Sequence, residues 1–165
     1  MPISRTELFE RMTALGIKTT TVDHPAVRTV ADTACHDLNL PGADTKNLFL
    51  KDDKGNLVLV IAKTSTEVDL KALPKKIGCG RFSFGKPDLL MEVLGVEPGS
   101  VTAFAVINDV AKRVRVIVDQ ALLGYDSVNC HPLENTATTN IARDDLLRFI
   151  RSTGHDPEVV TLSST

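Results

Sequence analysis

The apolar positions change period along the chain. Leu8, Met12 and Leu15 recur at helical spacing behind Ser4-Arg5-Thr6-Glu7, a capping-box pattern, and Gly16 offers a left-handed stop. This predicts a helix over Ser4–Leu15. The branched run Ile17–Asp23 reads as a strand closed by His24-Pro25, because a proline pushes the preceding residue into extended geometry, and His24 is expected in a loop. Thr29-Val30-Ala31-Asp32 repeats the capping logic and predicts a short helix to Leu38, with His36 on its wet face and Asn39–Gly42 as its end.

Period-two alternation takes over from Lys46 to Lys51. Lys46, Leu48 and Leu50 fall on one face of that strand and Asn47, Phe49 and Lys51 on the other, which sets a lysine among leucines. Asp52–Asn56 is a glycine-containing hairpin loop, and Leu57–Ala62, apolar at every position, reads as a central strand covered on both faces. Thr64–Leu73 is polar with a weak helical period that Pro74 interrupts, and Gly78-Cys79-Gly80 is a turn before the short strand Arg81–Phe84. Pro87 opens a helix carrying Leu89, Leu90, Val93 and Leu94 up to Gly95. Val96–Ser100 is a turn, and Val101–Ile107 and Arg113–Asp119 read as strands, with Gln120–Gly124 leading out of the second. Val128–Pro132 and Thr136–Ile141 bracket a Leu133-Glu134-Asn135 corner; Ala142–Thr153 is a helix striped by Leu146, Leu147 and Ile150, and Val159–Leu162 closes the sheet.

Strands that follow strands, with helices between groups of them, predict a single α/β domain over residues 1–165 with a mixed, largely antiparallel curved sheet flanked by helices. A doubly wound nucleotide fold is disfavoured, since no G-x-G-x-x-G or Walker glycine loop is present. A length of 165 residues with 42% hydrophobic and 24% charged content suits an ordinary globular chain, and excludes disordered and collagen-like classes. No apolar run approaches the roughly 20 residues of a membrane span, and Met1–Arg5 lacks a signal-peptide core, so no membrane association and a cytoplasmic location are expected. Net charge is −2, so any contact with a polyanion depends on a local basic patch.

Cys35, Cys79 and Cys130 are an odd count at wide spacing, which argues for reduced thiols rather than a disulfide framework. Cys35-His36 and Cys130-His131 are adjacent pairs, but neighbours on a strand point to opposite faces, so no metal and no other cofactor is expected. Cys130 is read as a packing residue. His131, held before Pro132, has an extended backbone suited to pointing into a cleft; a loop histidine bonded to nearby hydroxyls remains the alternative. Lys46 has its alternative too, a strand-end lysine whose stem lies on apolar neighbours while its head is in water.

Three motifs in order carry a family resemblance: Thr45–Asp52, the Glu97-Pro98-Gly99-Ser100-Val101-Thr102 turn, and His131–Thr138. Together they resemble the YbaK/prolyl-tRNA synthetase editing-domain superfamily, and within it the free-standing alanyl-tRNA(Pro) deacylases of the ProXp-ala or PrdX type. The resemblance implies a trans-editing hydrolase that cleaves the ester of alanine mistakenly attached to proline tRNA. It needs no cofactor, and its partners would be mischarged tRNA and prolyl-tRNA synthetase, without DNA. By motif, Lys46, Asn47 and His131 would be the catalytic residues, and Gly99, Ser100, Asn135 and Thr136 would line the aminoacyl pocket. Because Lys46 and Asn47 alternate, either a bulge lies there or Asn47 acts indirectly. Cys130 and Ala103 stand where the family pattern has an aromatic and a proline, which keeps seryl- and cysteinyl-tRNA open as substrates. A non-catalytic module that holds tRNA or a synthetase is the alternative of another class. Lys18, Lys51, Lys75, Lys76, Arg81, Lys86, Arg113 and Arg115 are the cations available to an RNA.

Overall fold

A computed structural model describes residues 3–24 and 41–162. The expected helix over Thr29–Leu38 and the Cys35-His36 pair lie outside the described residues. The chain runs α1 (Arg5–Ala14), β1 (Thr19–Asp23), β2 (Ala43–Asp52), β3 (Leu57–Lys63), α2 (Leu73–Ile77), β4 (Phe82–Phe84) and α3 (Pro87–Leu94). Two short 3-10 helices come next, Pro98–Ser100 and Ala103–Asn108. Then come β5 (Val114–Asp119), a 3-10 turn at Gln120–Gly124, β6 (Ser127–Cys130), β7 (Ala137–Ala142), α4 (Arg143–Ser152) and β8 (Pro157–Val160).

Local chemistry explains most boundaries. Ser4 caps α1 by accepting the Glu7 N–H at 3.3 Å, and Gly16 at φ +75° turns the chain out of it. Asp52 organises the β2–β3 hairpin: its Oδ1 accepts the N–H groups of Lys54 and Asn56, and its Oδ2 accepts those of Asn56 Nδ2 and Gly80. Burial on its own would raise this carboxyl, yet the donors around it hold it at about 2.

The sheet is mixed, in the order β1-β7-β6-β2-β3-β5-β8, with β4 attached to β2. Four pairings are antiparallel (β1–β7, β2–β3, β2–β4, β6–β7) and three are parallel (β2–β6, β3–β5, β5–β8). β3 is central and buried from Leu57 to Ala62, as its continuous apolar run requires. Its two faces feed two cores. Leu57, Leu59 and Ile61 join the larger core with α1, α3, α4 and the Ala103–Asn108 helix; Val58, Val60 and Ala62 join a smaller one with Leu73 and Ile77 of α2.

Three expectations are corrected. Val101–Ile107 is not a strand: Thr102 caps Phe104, and Ala103–Asn108 forms a 3-10 helix whose first five residues are buried between α3 and α4. Phe104 packs edge-on against Phe149 of α4 at 5.6 Å. A short apolar run is compatible with either buried element, so periodicity could not separate them. Pro74 opens α2 rather than breaking a helix, because a first-turn N–H has no intrahelical acceptor and so no helix bond is lost. In α4 the fully buried positions are Leu146, Phe149 and Ile150, with Leu147 only partly covered.

Gly42 makes the junction between β2 and β6. It sits at φ +85°, and a methyl there would come 2.2 Å from the Ser127 carbonyl oxygen, so only glycine lets β2 close onto β6. Gly42→Ala is expected to cost at least about 1–2 kcal/mol from the left-handed backbone, with the clash added. Chemical denaturation checks this; an unchanged midpoint would contradict the close approach.

Candidate active site at the split edge of β2

The two edges of β2 are used differently. One is paired with β3 from Thr45 to Lys51 without a break in register. The other is shared, with β6 taking Ala43 and Asp44 and β4 taking Leu50 to Asp52. Gly85 N–H bonds to the Phe49 carbonyl at 2.9 Å, just before β4's share begins. Among the described residues no strand pairs with Thr45–Leu48 along this edge, which leaves an opening between β6 and β4. Backbone groups of alternate residues point to alternate edges, so Asn47, two residues before Phe49, turns its N–H and C=O toward the opening.

Unbroken register also fixes the faces. Asp44, Lys46 and Leu48 share one face, and Thr45, Asn47 and Phe49 the other. No bulge separates Lys46 from Asn47, so the bulge is set aside and the two side chains leave β2 in opposite directions.

On the Lys46 face the apolar stripe ends. Leu48 and Leu50 belong to the smaller core; past Lys46 the surface becomes polar. Asp44 Oδ1 accepts from Asn129 Nδ2 at 3.0 Å, and Asn129 Oδ1 accepts from Asn140 Nδ2 at 2.9 Å. His131 is two residues beyond Asn129, with Nδ1 3.1 Å from the Ala137 carbonyl and its ring 6.4 Å from that of His24. His24 Nε2 lies 2.8 Å from Thr138 Oγ1, and its backbone N–H donates to the Thr136 carbonyl at 2.8 Å. A carbonyl only accepts, so His131 Nδ1 carries the hydrogen and Nε2 of the neutral ring is left as an acceptor. Burial, the largest influence, pushes His131 below the ordinary imidazole value; the Ala137 bond works against that shift and the neighbouring His24 works with it.

Lys46 is half-buried, and among the described residues its ammonium has no hydrogen-bond or ion-pair partner. Lys63, on β3 opposite Thr45, is different: its ammonium lies 4.9 Å from the centre of the Tyr125 ring. On the opposite face Asn47 Oδ1 is buried and has no hydrogen-bond partner among the described residues, an uncommon condition for a buried acceptor.

The other expected residues divide. Gly99 and Asn135 adjoin, since a methyl on Gly99 would stand 3.2 Å from Asn135 Nδ2. Val101 and Leu133 beside them pack on the larger core, the side toward which Asn47 and Phe49 point. Ser100 is half-buried, with its N–H bonded to the Glu97 carbonyl. Thr136 has an exposed side chain that donates to Glu134 Oε1 at 3.0 Å, so its link to the site is the carbonyl that holds His24. Lys46 and His131 thus share one face, Asn47 points to the other, and the Gly99–Asn135 contact lies beside residues that pack on the larger core. Cys130 is buried, in contact with Thr45 Oγ1 at 3.6 Å, and burial pushes its thiol up to about 12, which agrees with a packing role. Among the described residues no group of three or more His, Cys, Asp or Glu side chains is arranged to hold a metal ion.

The cations also sort themselves. Lys51, Arg81 and Lys86 line a groove of about 610 Å³ together with Asp52, Asp53, Asp88 and Phe84, which is 62% exposed. Lys51 is five residues along β2 from Lys46, or about 17 Å. Arg115 is instead forked onto Glu158 and bonded to the Ile77 carbonyl, Arg113 meets Glu92, and Lys76 bonds the Thr161 carbonyl. Lys18 belongs to a separate groove beside α1. No helix of the described residues is long and apolar enough to cross a membrane.

Sequence reasoning missed Asp44, Asn129, Asn140, His24 and Thr138. Carrying the alternation of β2 back two residues from Lys46 would have found Asp44; the rest depend on pairings between distant parts of the chain.

Known proteins are similar over nearly the whole length. Residues 24–149 match the model of the aminoacyl-tRNA editing domain. A Danio rerio protein named prolyl-tRNA synthetase associated domain-containing protein 1 is 37% identical, covering 95% of this chain and 86% of that protein. The prolyl-tRNA editing protein ProX of Acetoanaerobium sticklandii is 33% identical over 94% of this chain and 95% of its own. A crystal structure described as a trans-editing enzyme for prolyl tRNA synthetase superposes with a TM-score of 0.74 at 23% identity, covering 98% of this chain and 96% of that one. The fold is therefore that of the editing domains, and the chain belongs to the aminoacyl-tRNA editing domain family.

Proposed function

We propose that the protein is a trans-editing hydrolase that removes alanine from mischarged proline tRNA in the cytoplasm. The observation that carries this is the Lys46 ammonium, half-buried and without a partner among the described residues, beside an open strand edge and on the same face as a neutral His131. Alanine and proline differ by a few carbons, and a missing methylene gives only about 1–3 kcal/mol of discrimination, so a second, hydrolytic sieve is chemically warranted.

In the reaction, water adds to the acyl carbon and the carbonyl oxygen becomes an oxyanion. The bond to the ribose oxygen then breaks, that oxygen takes the proton, and free alanine and tRNA leave. Lys46 stabilises the oxyanion or anchors the terminal phosphate. His131 Nε2 accepts a hydrogen bond from the attacking water or the neighbouring ribose hydroxyl, which orients it. Asn47 brings unmet hydrogen-bonding capacity to the other side of the opening, where Gly99, Ser100 and Asn135 would bound the small aminoacyl side chain. Exposed Phe84, in a groove where Lys51, Arg81 and Lys86 stand among Asp52, Asp53 and Asp88, offers a stacking surface to a base farther along the RNA.

Deacylation of alanyl-tRNA(Pro), seryl-tRNA and cysteinyl-tRNA by purified protein tests the reading. Wild type should prefer the alanyl ester, and Lys46→Ala should lose about 10²–10³-fold in rate, the effect of removing one oxyanion donor. Equal rates for the two proteins, or retention of a prolyl-tRNA synthetase in a binding assay without any deacylation, would replace the hydrolase with a non-catalytic module. The rate should also hold below the ordinary imidazole value near 6.5 and fall only at more acid pH, because His131 resists protonation and loses its acceptor when it gains a proton. A pH–rate profile with no acid limb would remove His131 from the chemistry.

A further inference from the structure

We propose that Asp44 is the residue that binds the α-ammonium of the aminoacyl group, and so makes the site selective for unblocked amino acids. The inference rests on the ester-hydrolase reading of the site. Its basis is a carboxylate held rigidly next to a cation it does not neutralise. Asp44 shares the Lys46 face of β2. Its Oδ1 is anchored by Asn129 Nδ2 at 3.0 Å, and Asn129 is in turn anchored by Asn140 Nδ2 at 2.9 Å. Among the described residues the Asn129 bond to Oδ1 is the one partner of the Asp44 carboxylate, and no ion pair joins Asp44 to Lys46. A surface pair of this kind usually collapses together or dissolves into solvent. Here the relay of two asparagines keeps the carboxylate in place, and β2 fixes its spacing from Lys46.

The two side chains start about 7 Å apart, two residues at the strand rise. An aminoacyl ester carries its ammonium on the carbon next to the acyl carbon, so a positive group and a developing oxyanion lie within one small fragment. That fragment matches the order Asp44 then Lys46. Asp44 takes the ammonium through Oδ2, and Lys46 takes the negative oxygen. A charge-assisted bond of this type is stronger than a neutral one and needs the fixed geometry that the asparagines supply.

The test compares alanyl-tRNA(Pro) with its lactyl analogue, in which a hydroxyl replaces the ammonium, on wild type, Asp44→Asn and Asn129→Ser. Asp44→Asn keeps an acceptor for Asn129 and removes only the charge. It should lower kcat/KM for the alanyl ester by about 10- to 100-fold, the weight of one hydrogen bond between charged groups. The lactyl ester should change by less than about threefold. Asn129→Ser, which frees the carboxylate without removing it, should lose less on the alanyl ester and nothing on the lactyl one. Equal losses on both esters would overturn the inference and make Asp44 a general support of the site. No effect of Asp44→Asn on an active enzyme would also overturn it, while leaving the hydrolase reading intact. A wild type inactive on both esters would remove that reading and this one with it. Thermal melts of the variants separate folding losses from all of these.

Discussion

Everything at the candidate site derives from a strand that must serve two neighbours on one edge. β2 is ten residues long, and β3 holds it along most of its other side. β6 and β4 each reach only part of the remaining edge, and among the described residues no strand meets the backbone groups between them. A soluble protein normally blunts or covers such an edge. Here the length unpaired among the described residues coincides with Lys46 and Asn47. The ladder with β3 stays regular through this length, so Lys46 and Asn47 leave β2 on opposite faces.

The boundaries of that opening are held by interactions of a different kind at each end. Gly42 allows β2 to press against the Ser127 backbone, and Thr45 Oγ1 bonds the Asn129 carbonyl at 2.6 Å. At the far end the Asp52 carboxylate gathers donors from the hairpin and from Gly80, which ties the start of β4's approach to the end of β2. Packing supplies the rest. The two cores lie on opposite faces of β3, so β2 cannot rotate to relieve strain without exposing Leu50 on one side or Phe49 on the other.

How much of this was legible in the sequence depends on range. Lys46 stood out because its neighbours two and four residues on are leucines, a strictly local pattern. The strand bounds around it were short by three residues at the start, and Asp44 was hidden by that alone. His24 read as a loop residue, which it is; nothing local says that its ring meets Thr138 and His131, more than a hundred positions away. The Val101–Ile107 run shows the other limit, because an element buried on every side leaves no polar face whose period could identify it. The motifs resembling the editing domains named Gly99 and Asn135 from separate parts of the chain, and in the structure the two adjoin.

Cys130 has a consequence of its own. It stands directly before His131, yet its thiol is fully enclosed and raised to about 12. Peroxides and alkylating agents attack the thiolate, the form that this burial disfavours. The sulfur directly before His131 is therefore shielded from oxidants and alkylating agents by its burial.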